Sequence, residues 1–137
     1  MLVYDQNTLR AKNAFIHVGS YVDQTVYSMI DIMNKNMGVG LAGPQIGLNK
    51  MIFVTYHPSY PVFINPKIMN LYEPISVEEE GCLSLPGIRR YVPRYSKVII
   101  KGYDQYWKEF VCVAESTLAR VIQHEYDHLY GKLITDY

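Results

Sequence analysis

The sequence predicts an α+β fold, with mostly antiparallel strands packed around a central helix that carries His124 and His128. Three observations predict it. Apolar residues recur at helical spacing near residues 22–37 and again near 116–130; apolar and polar residues alternate across residues 96–114; glycine and proline punctuate the segments between. With 137 residues, 49% of them apolar and 19% charged, the chain is expected to form one domain, 1–137, around a core of its own.

Taken in order, Val22, Val26, Met29, Ile30, Met33 and Met37 stand three or four residues apart. That is the spacing of an amphipathic helix, with core packing the expected role of its methionines and Gly38 suited to end it. The segment Gly38-Val39-Gly40-Leu41-Ala42-Gly43-Pro44-Gln45 is too rich in glycine to continue that helix. Its glycines suit a tight turn with positive φ, a place where a peptide lies against the backbone as an added strand, or both. Residues 51–56 and 62–64 read as short strands separated by a turn with two prolines, Pro58 and Pro61. Residues 67–72 suit another strand, and residues 75–80 one more with Val77 facing inward. Residues 96–103 and 109–114 read as a β-hairpin in which Val98, Ile100, Phe110 and Cys112 face the core. Ser116 is suited to cap a second helix running to about Tyr130, ahead of Gly131.

Thirteen Lys plus Arg balance thirteen Asp plus Glu. A protein that lives on phosphate backbone carries a basic excess, so direct nucleic-acid binding is not expected. No polybasic segment favours a membrane surface. No run approaches the roughly 20 apolar residues of a spanning helix, and residues 1–10 carry no apolar leader. The chain is expected to stay in a cytoplasmic compartment. Cys82 and Cys112 allow one disulfide on count alone, but in a reducing compartment a cysteine beside glycine and serine points to chemistry or metal.

His124-Glu125-Tyr126-Asp127-His128 falls inside the second helix. Residues four apart share a helix face, so both imidazoles can address one ion. Glu125 can stand beside that ion without binding it, where a base is needed to take a proton from metal-bound water. A catalytic ion needs a third protein ligand and an open position. Cys82, Cys112, His17, His57 and the carboxylates are the candidates. Cys82 leads them, because Gly81 lets the backbone come close to another group. Cys112 reads as a small core residue, and His17 and His57 as surface histidines.

Three segments therefore stand in one order: the glycine-rich stretch ending in Gln45, then Glu80-Gly81-Cys82-Leu83-Ser84, then Gln123-His124-Glu125-Tyr126-Asp127-His128-Leu129. This pattern resembles the peptide deformylases, and Leu9-Arg10, Phe63-Ile64-Asn65-Pro66 and Val92-Pro93-Arg94 extend the resemblance over nearly the whole chain. The resemblance implies a peptide deformylase-like fold and a hydrolase that removes the N-formyl group from the first methionine of new polypeptides, by attack of a metal-bound hydroxide. It implies Cys82, His124 and His128 as metal ligands and Glu125 as general acid/base. Gln45 and the backbone N–H of Leu83 would polarise the formyl oxygen. Val39, Gly40, Gly81, Arg89 and Val121 would receive the substrate, with core packing an equal alternative for Val121. Fe²⁺ is the ion implied, with Zn²⁺, Ni²⁺ or Co²⁺ as replacements, and N-formyl-methionyl peptides and nascent chains are the partners. A monomer is expected.

Two departures stand out. Gly43 takes a position where alanine is usual. The chain stops at Ile134-Thr135-Asp136-Tyr137, where bacterial relatives continue into a C-terminal helix linked to ribosome docking, which puts that contact in doubt and suits a compact, phage-encoded or reduced member. A peptidase cutting internal bonds would usually take a His or Glu downstream of His128 as third ligand, and none follows. An inactive formyl-peptide binder would have no need of Glu125. A structural zinc site would need a fourth protein ligand that the sequence does not place.

Overall fold

The computed structural model describes residues 1–137. Five antiparallel strands form one sheet in chain order: β1 (Gly40–Ala42), β2 (Ile52–Thr55), β3 (Val62–Cys82), β4 (Leu85–Tyr103) and β5 (Glu109–Glu115). Three α-helices accompany it: the single turn α1 (Gln6–Leu9), α2 (Asp23–Lys35) and α3 (Ser116–Leu129). A 3₁₀ turn, Gly43–Ile46, follows β1, and another, Ile134–Asp136, follows α3.

The sheet is built around the hairpin of β3 and β4, paired from Ile64 opposite Tyr103 to Cys82 opposite Leu85. Three strands expected over residues 62–80 are therefore one. Asn65-Pro66 and Pro74 stand in the gaps between those expected strands, and proline cannot donate to a ladder. The chain instead absorbs both in register shifts, between Ile64 and Lys67 and between Tyr72 and Ile75, and pairing resumes beyond each. β4 likewise begins at Leu85, well before residue 96. The last shift, between Glu80 and Cys82, delivers Cys82 to the hairpin turn formed by Leu83 and Ser84.

α3 lies against β1, β2, β4 and β5. Between them sit Phe53, Phe63, Val98, Ile100, Cys112, Ala119, Ile122 and Leu129, all essentially inaccessible. Phe53 and Phe63 are cross-strand partners whose rings stack at 4.6 Å between centroids. The expected inward set of the last hairpin is seen: Val98, Ile100 and Cys112 are fully buried and Phe110 packs against them. Both cysteines are free. α2 covers a second cluster through Val22, Val26, Met29 and Met33.

Four local expectations are overturned. Met37 is 92% exposed: α2 ends at Lys35, and a left-handed Met37 (φ 54°) swings the chain off the apolar face before Gly38. Val77 is 60% exposed, because the outer part of the β3–β4 ribbon has little packed over it. Ser116 makes no side-chain cap and takes a positive φ of 53° as the first residue of α3. Finally, Gly38, Gly40 and Gly43 do not have positive φ, which falls instead on Gly47 (φ 78°) at the end of the 3₁₀ turn. What those three glycines supply is room. A Cβ on Gly38 would meet Leu83 Cδ1 at 2.8 Å, one on Gly40 would meet Glu125 Oε2 at 2.6 Å, and one on Gly43 would meet the Leu48 carbonyl at 2.6 Å.

Candidate functional site

Between β1, the turn joining β3 to β4, and the N-terminal half of α3 lies a cleft of about 480 Å³. Val39, Gly40, Gln45, Gly81, Cys82, Leu83, Arg89, Val121, His124 and Glu125 all line it. Ten of the eleven residues singled out from the sequence thus meet in one place. The eleventh, His128, lies just beneath, with its Nε2 3.4 Å from Cys82 Sγ.

The local folding that gathers them is simple. His124 and His128 stand one helical turn apart on α3, ring centroids 5.1 Å apart, and the tip of the long hairpin brings Cys82 to both. One donor atom each from Cys82, His124 and His128 lies within 4.8 Å of the others. His17 is exposed, His57 accepts a hydrogen bond from the nearby Ser59 N–H, and Cys112 is sealed in the core; none of them joins the cluster.

Gln45 is buried and oriented by the 3₁₀ turn that contains it. Its Oε1 accepts the Ala42 N–H at 2.9 Å, which turns its amide nitrogen toward Cys82 Sγ (3.6 Å) and Ser84 Oγ (3.4 Å). Glu125 is 3% exposed and its carboxylate sits against the Cα of Gly40. Burial pushes the Glu125 carboxyl up to about 7, although the charges of His124 and Arg94 pull it the other way.

Sequence reasoning missed the residues beneath the cluster. Glu80, buried, accepts His124 Nδ1 at 2.8 Å, Arg94 Nε and Nη2 at 2.9 Å each, and Arg120 Nη1 at 2.6 Å. Burial alone would raise the Glu80 carboxyl, but the hydrogen bonds from His124 and Arg94 hold it far below the usual carboxylate range. Arg94 continues to Asp127 Oδ2 at 2.6 Å. The only trace of this in the sequence was that Glu80 and Arg94 fall inside segments already matched to a family pattern.

These groups suit a cation. One sulfur and two ring nitrogens converge, a donor set that divalent transition metals accept. Burial lowers the His128 pKa well below its ordinary value, and the charges of His124 and Arg94 add to this, so its ring is neutral as a ligand must be. Burial disfavours a charge on His124, yet Glu125, Cys82 and Glu80 around it reverse the balance and favour positive charge there. The same surroundings favour an ion. Glu125 Oε1 is buried with no protein partner, next to this cluster. A glutamate on the second ring nitrogen of a histidine is also the arrangement that orients metal ligands.

Known proteins match this chain along its whole length. The family model for polypeptide deformylase matches residues 1–137. Peptide deformylase 1 of Clostridium perfringens is 44% identical over 137 residues, covering 97% of this chain and 92% of the relative. The Borreliella burgdorferi peptide deformylase is 38% identical, over 100% of this chain and 86% of its own. Among solved structures, that of a deformylase from a Vibrio parahaemolyticus bacteriophage in complex with actinonin superposes with a TM-score of 0.92 at 36% identity, covering 97% of this chain and 98% of that one. A Synechococcus elongatus peptide deformylase, also with actinonin, gives 0.93 at 37% identity, over 99% of this chain and 76% of that one.

Proposed function

This chain belongs to the polypeptide deformylase family, and from that premise we propose how its residues divide the work. It is a metal-dependent hydrolase that removes the N-formyl group from the N-terminal methionine of newly made polypeptides. Cys82, His124 and His128 are assigned as the ligands of one divalent ion. Fe²⁺ is assigned as the resident on the family resemblance alone, with Zn²⁺, Ni²⁺ or Co²⁺ as replacements, since one thiolate and two imidazoles accept each of them. When bound, the ion supplies Lewis acidity, lowering the pKa of a water beside it and polarising a carbonyl oxygen.

The chain's own groups do the rest. Glu125 takes the proton of the attacking water and returns it to the departing amine nitrogen. A carboxyl that burial brings to about 7 suits a group that must both accept and donate near neutral pH. The Gln45 amide nitrogen and the Leu83 backbone N–H are the donors for the developing oxyanion. Support for Gln45 comes from its anchored Oε1, which leaves the nitrogen facing Cys82. Loss of one such donor typically costs about 10²–10³ in rate. Gly40 and Gly81 are assigned as backbone contacts of the peptide, their missing side chains making room for Glu125 and Arg89 respectively, and Val39, Val121 and Arg89 flank the methionine side chain. The protein is proposed to act as a cytoplasmic monomer, in a host cell if phage-encoded; no helix is long and apolar enough to cross a membrane.

The observation that carries this reading is the buried Glu125 carboxylate, with one unpartnered oxygen, beside three convergent ligand atoms. The test is formate release from formyl-Met peptides by anaerobically prepared Fe²⁺ protein. Glu125→Ala should keep its metal and lose nearly all turnover, a factor of about 10²–10⁴ for a general acid/base. Cleavage of internal peptide bonds without formate release would overturn the reading.

A further inference from the structure

We propose that Tyr137 is a positioning residue for the metal centre: its hydroxyl holds Asp127 and Arg94, and through them the carboxylate that orients His124. This rests on the metal reading above. The contacts form one continuous series. Tyr137 Oη donates to Asp127 Oδ2 at 2.6 Å and accepts from Arg94 Nη1 at 3.1 Å, while Arg94 Nη1 also donates to Asp127 Oδ2 at 2.6 Å. The three groups close a triangle. The remaining Arg94 donors, Nε and Nη2, take the two oxygens of Glu80 in a fork, and Glu80 Oε1 faces His124 Nδ1 at 2.8 Å. A proton kept on Nδ1 leaves Nε2 with the lone pair that a metal ligand requires.

The triangle is one of two ends at which the network opens to solvent, the other being Arg120 with the exposed Glu78 and Ser76. Arg94 is 3% exposed, but the Asp127 side chain is 21% exposed. Behind them is a hollow of about 460 Å³, walled in part by Ile68, Leu71, Tyr126 and Lys132. The Tyr137 ring stands on this side, with the Arg94 guanidinium 5.0 Å and Lys132 Nζ 4.1 Å from its centroid. Water admitted here would compete for Asp127 and for Arg94 Nη1. The Arg94 fork is rigid, so a tilt at Nη1 is felt at Nε and Nη2, where Glu80 is gripped.

Tyr137 is not needed merely to fasten its own segment. Arg10 grips Asp136 with two hydrogen bonds of 2.8 and 2.9 Å, Asp136 accepts the Leu133 N–H, and Leu133 and Ile134 are buried. Deleting one hydroxyl leaves that fastening intact and falls on Arg94 and Asp127.

The experiment titrates Co²⁺ into the metal-free full chain for wild type, Tyr137→Phe and Asp136→Asn. It follows the thiolate-to-metal absorption band and the d–d bands of the ion, with kcat and KM for a formyl-Met peptide at saturating Co²⁺. Changing a direct partner of a ligand costs about 10–100-fold in metal affinity, and Tyr137 stands further out, so Tyr137→Phe should bind Co²⁺ about 3–10-fold more weakly. Its d–d bands should shift and its kcat fall at unchanged KM. Asp136→Asn, which loosens the segment but not the triangle, should stay within about twofold of wild type. Co²⁺ affinity and spectrum of Tyr137→Phe equal to wild type would overturn the proposal. So would equal losses in the two variants, since that result means fastening. A wild-type chain without a saturable thiolate band would instead remove the metal reading itself.

Discussion

Gly40→Ala tests the placement of Glu125 more sharply than removing Glu125 does. Gly40 is not in the left-handed region, so alanine meets no backbone penalty there. Its methyl would lie 2.6 Å from Glu125 Oε2, 2.9 Å from Cγ and 3.0 Å from Cδ. Ordinary contact begins near 3.4 Å, so the methyl arrives roughly 0.8 Å too close to Oε2. Glu125 is 3% exposed and β1 is held between β2 and α3, so neither side can step aside freely. Overpacking of this kind costs about 1–3 kcal/mol of stability, a drop that urea denaturation resolves. The kinetic effect should be larger. A displacement approaching 1 Å in a reacting group costs about 10² in rate, so kcat for formate release should fall by about that factor. Metal content should be unchanged, because the three atoms nearest the added methyl all belong to Glu125, which is not one of the proposed ligands. Activity retained to within a factor of two, in a folded and metal-loaded Gly40→Ala protein, would refute the claim that Glu125 acts from this position. A rise in KM at constant kcat would do so too, and would make Gly40 a substrate contact only.

Cys82→Ala should abolish metal retention through gel filtration, as metal analysis would show, whereas Cys112→Ala should keep its ion and lose about 1 kcal/mol from a small core void. Glu80→Gln keeps the shape but leaves Arg94 and Arg120 with a neutral partner in a buried setting; a stability loss of about 3–5 kcal/mol and a 10–100-fold loss of metal affinity are expected from urea titrations and Co²⁺ binding. For pH, the Arg10 hydrogen bonds and the Leu133 N–H lower the folded-state pKa of Asp136 to about 2, against about 3.9 unfolded. A depressed carboxylate contributes stability above its unfolded pKa and loses it as pH falls from about 4 through about 2. The side chain is 32% exposed, so the contribution is below about 1 kcal/mol, and the wild-type advantage over Asp136→Asn should shrink across that window in urea titrations at pH 6, 4 and 2.5.

Much of the framework was legible because it depends on local pattern. The periodicities of α2 and α3 and the alternation around Val98, Ile100 and Cys112 each report a face that must be buried, whatever lies opposite. Prolines were the main source of error in the strands. Pro66 and Pro74 are read locally as interruptions, but whether a strand resumes afterward depends on a partner strand already in register, and β4 supplies one. The glycines misled in a similar way. Conformation is what a glycine announces in sequence, yet Gly40 and Gly43 are required by neighbours distant along the chain or in the following loop, which only the fold brings up against them.

The proposed metal ligands are legible in the sequence and the residues that support them are not, for the same reason. His124 and His128 are fixed relative to each other by one helix, so spacing alone states their geometry. Glu80 is the last of three consecutive glutamates, and nothing local distinguishes it from Glu78 and Glu79. Its partners, Arg94, Arg120 and His124, lie 14, 40 and 44 residues away. Glu78 is 63% exposed at its side chain and Glu80 only 7%, so two residues of the same type and strand face opposite fates. The difference is electrostatic. A carboxylate leaves water only where charge-assisted partners replace its hydration, and Glu80 alone has a forked arginine, a second arginine and an imidazole converging on it. Its burial is therefore a consequence of the site being assembled rather than of strand pattern, and a substitution in that set should be read first in metal affinity and only then in turnover.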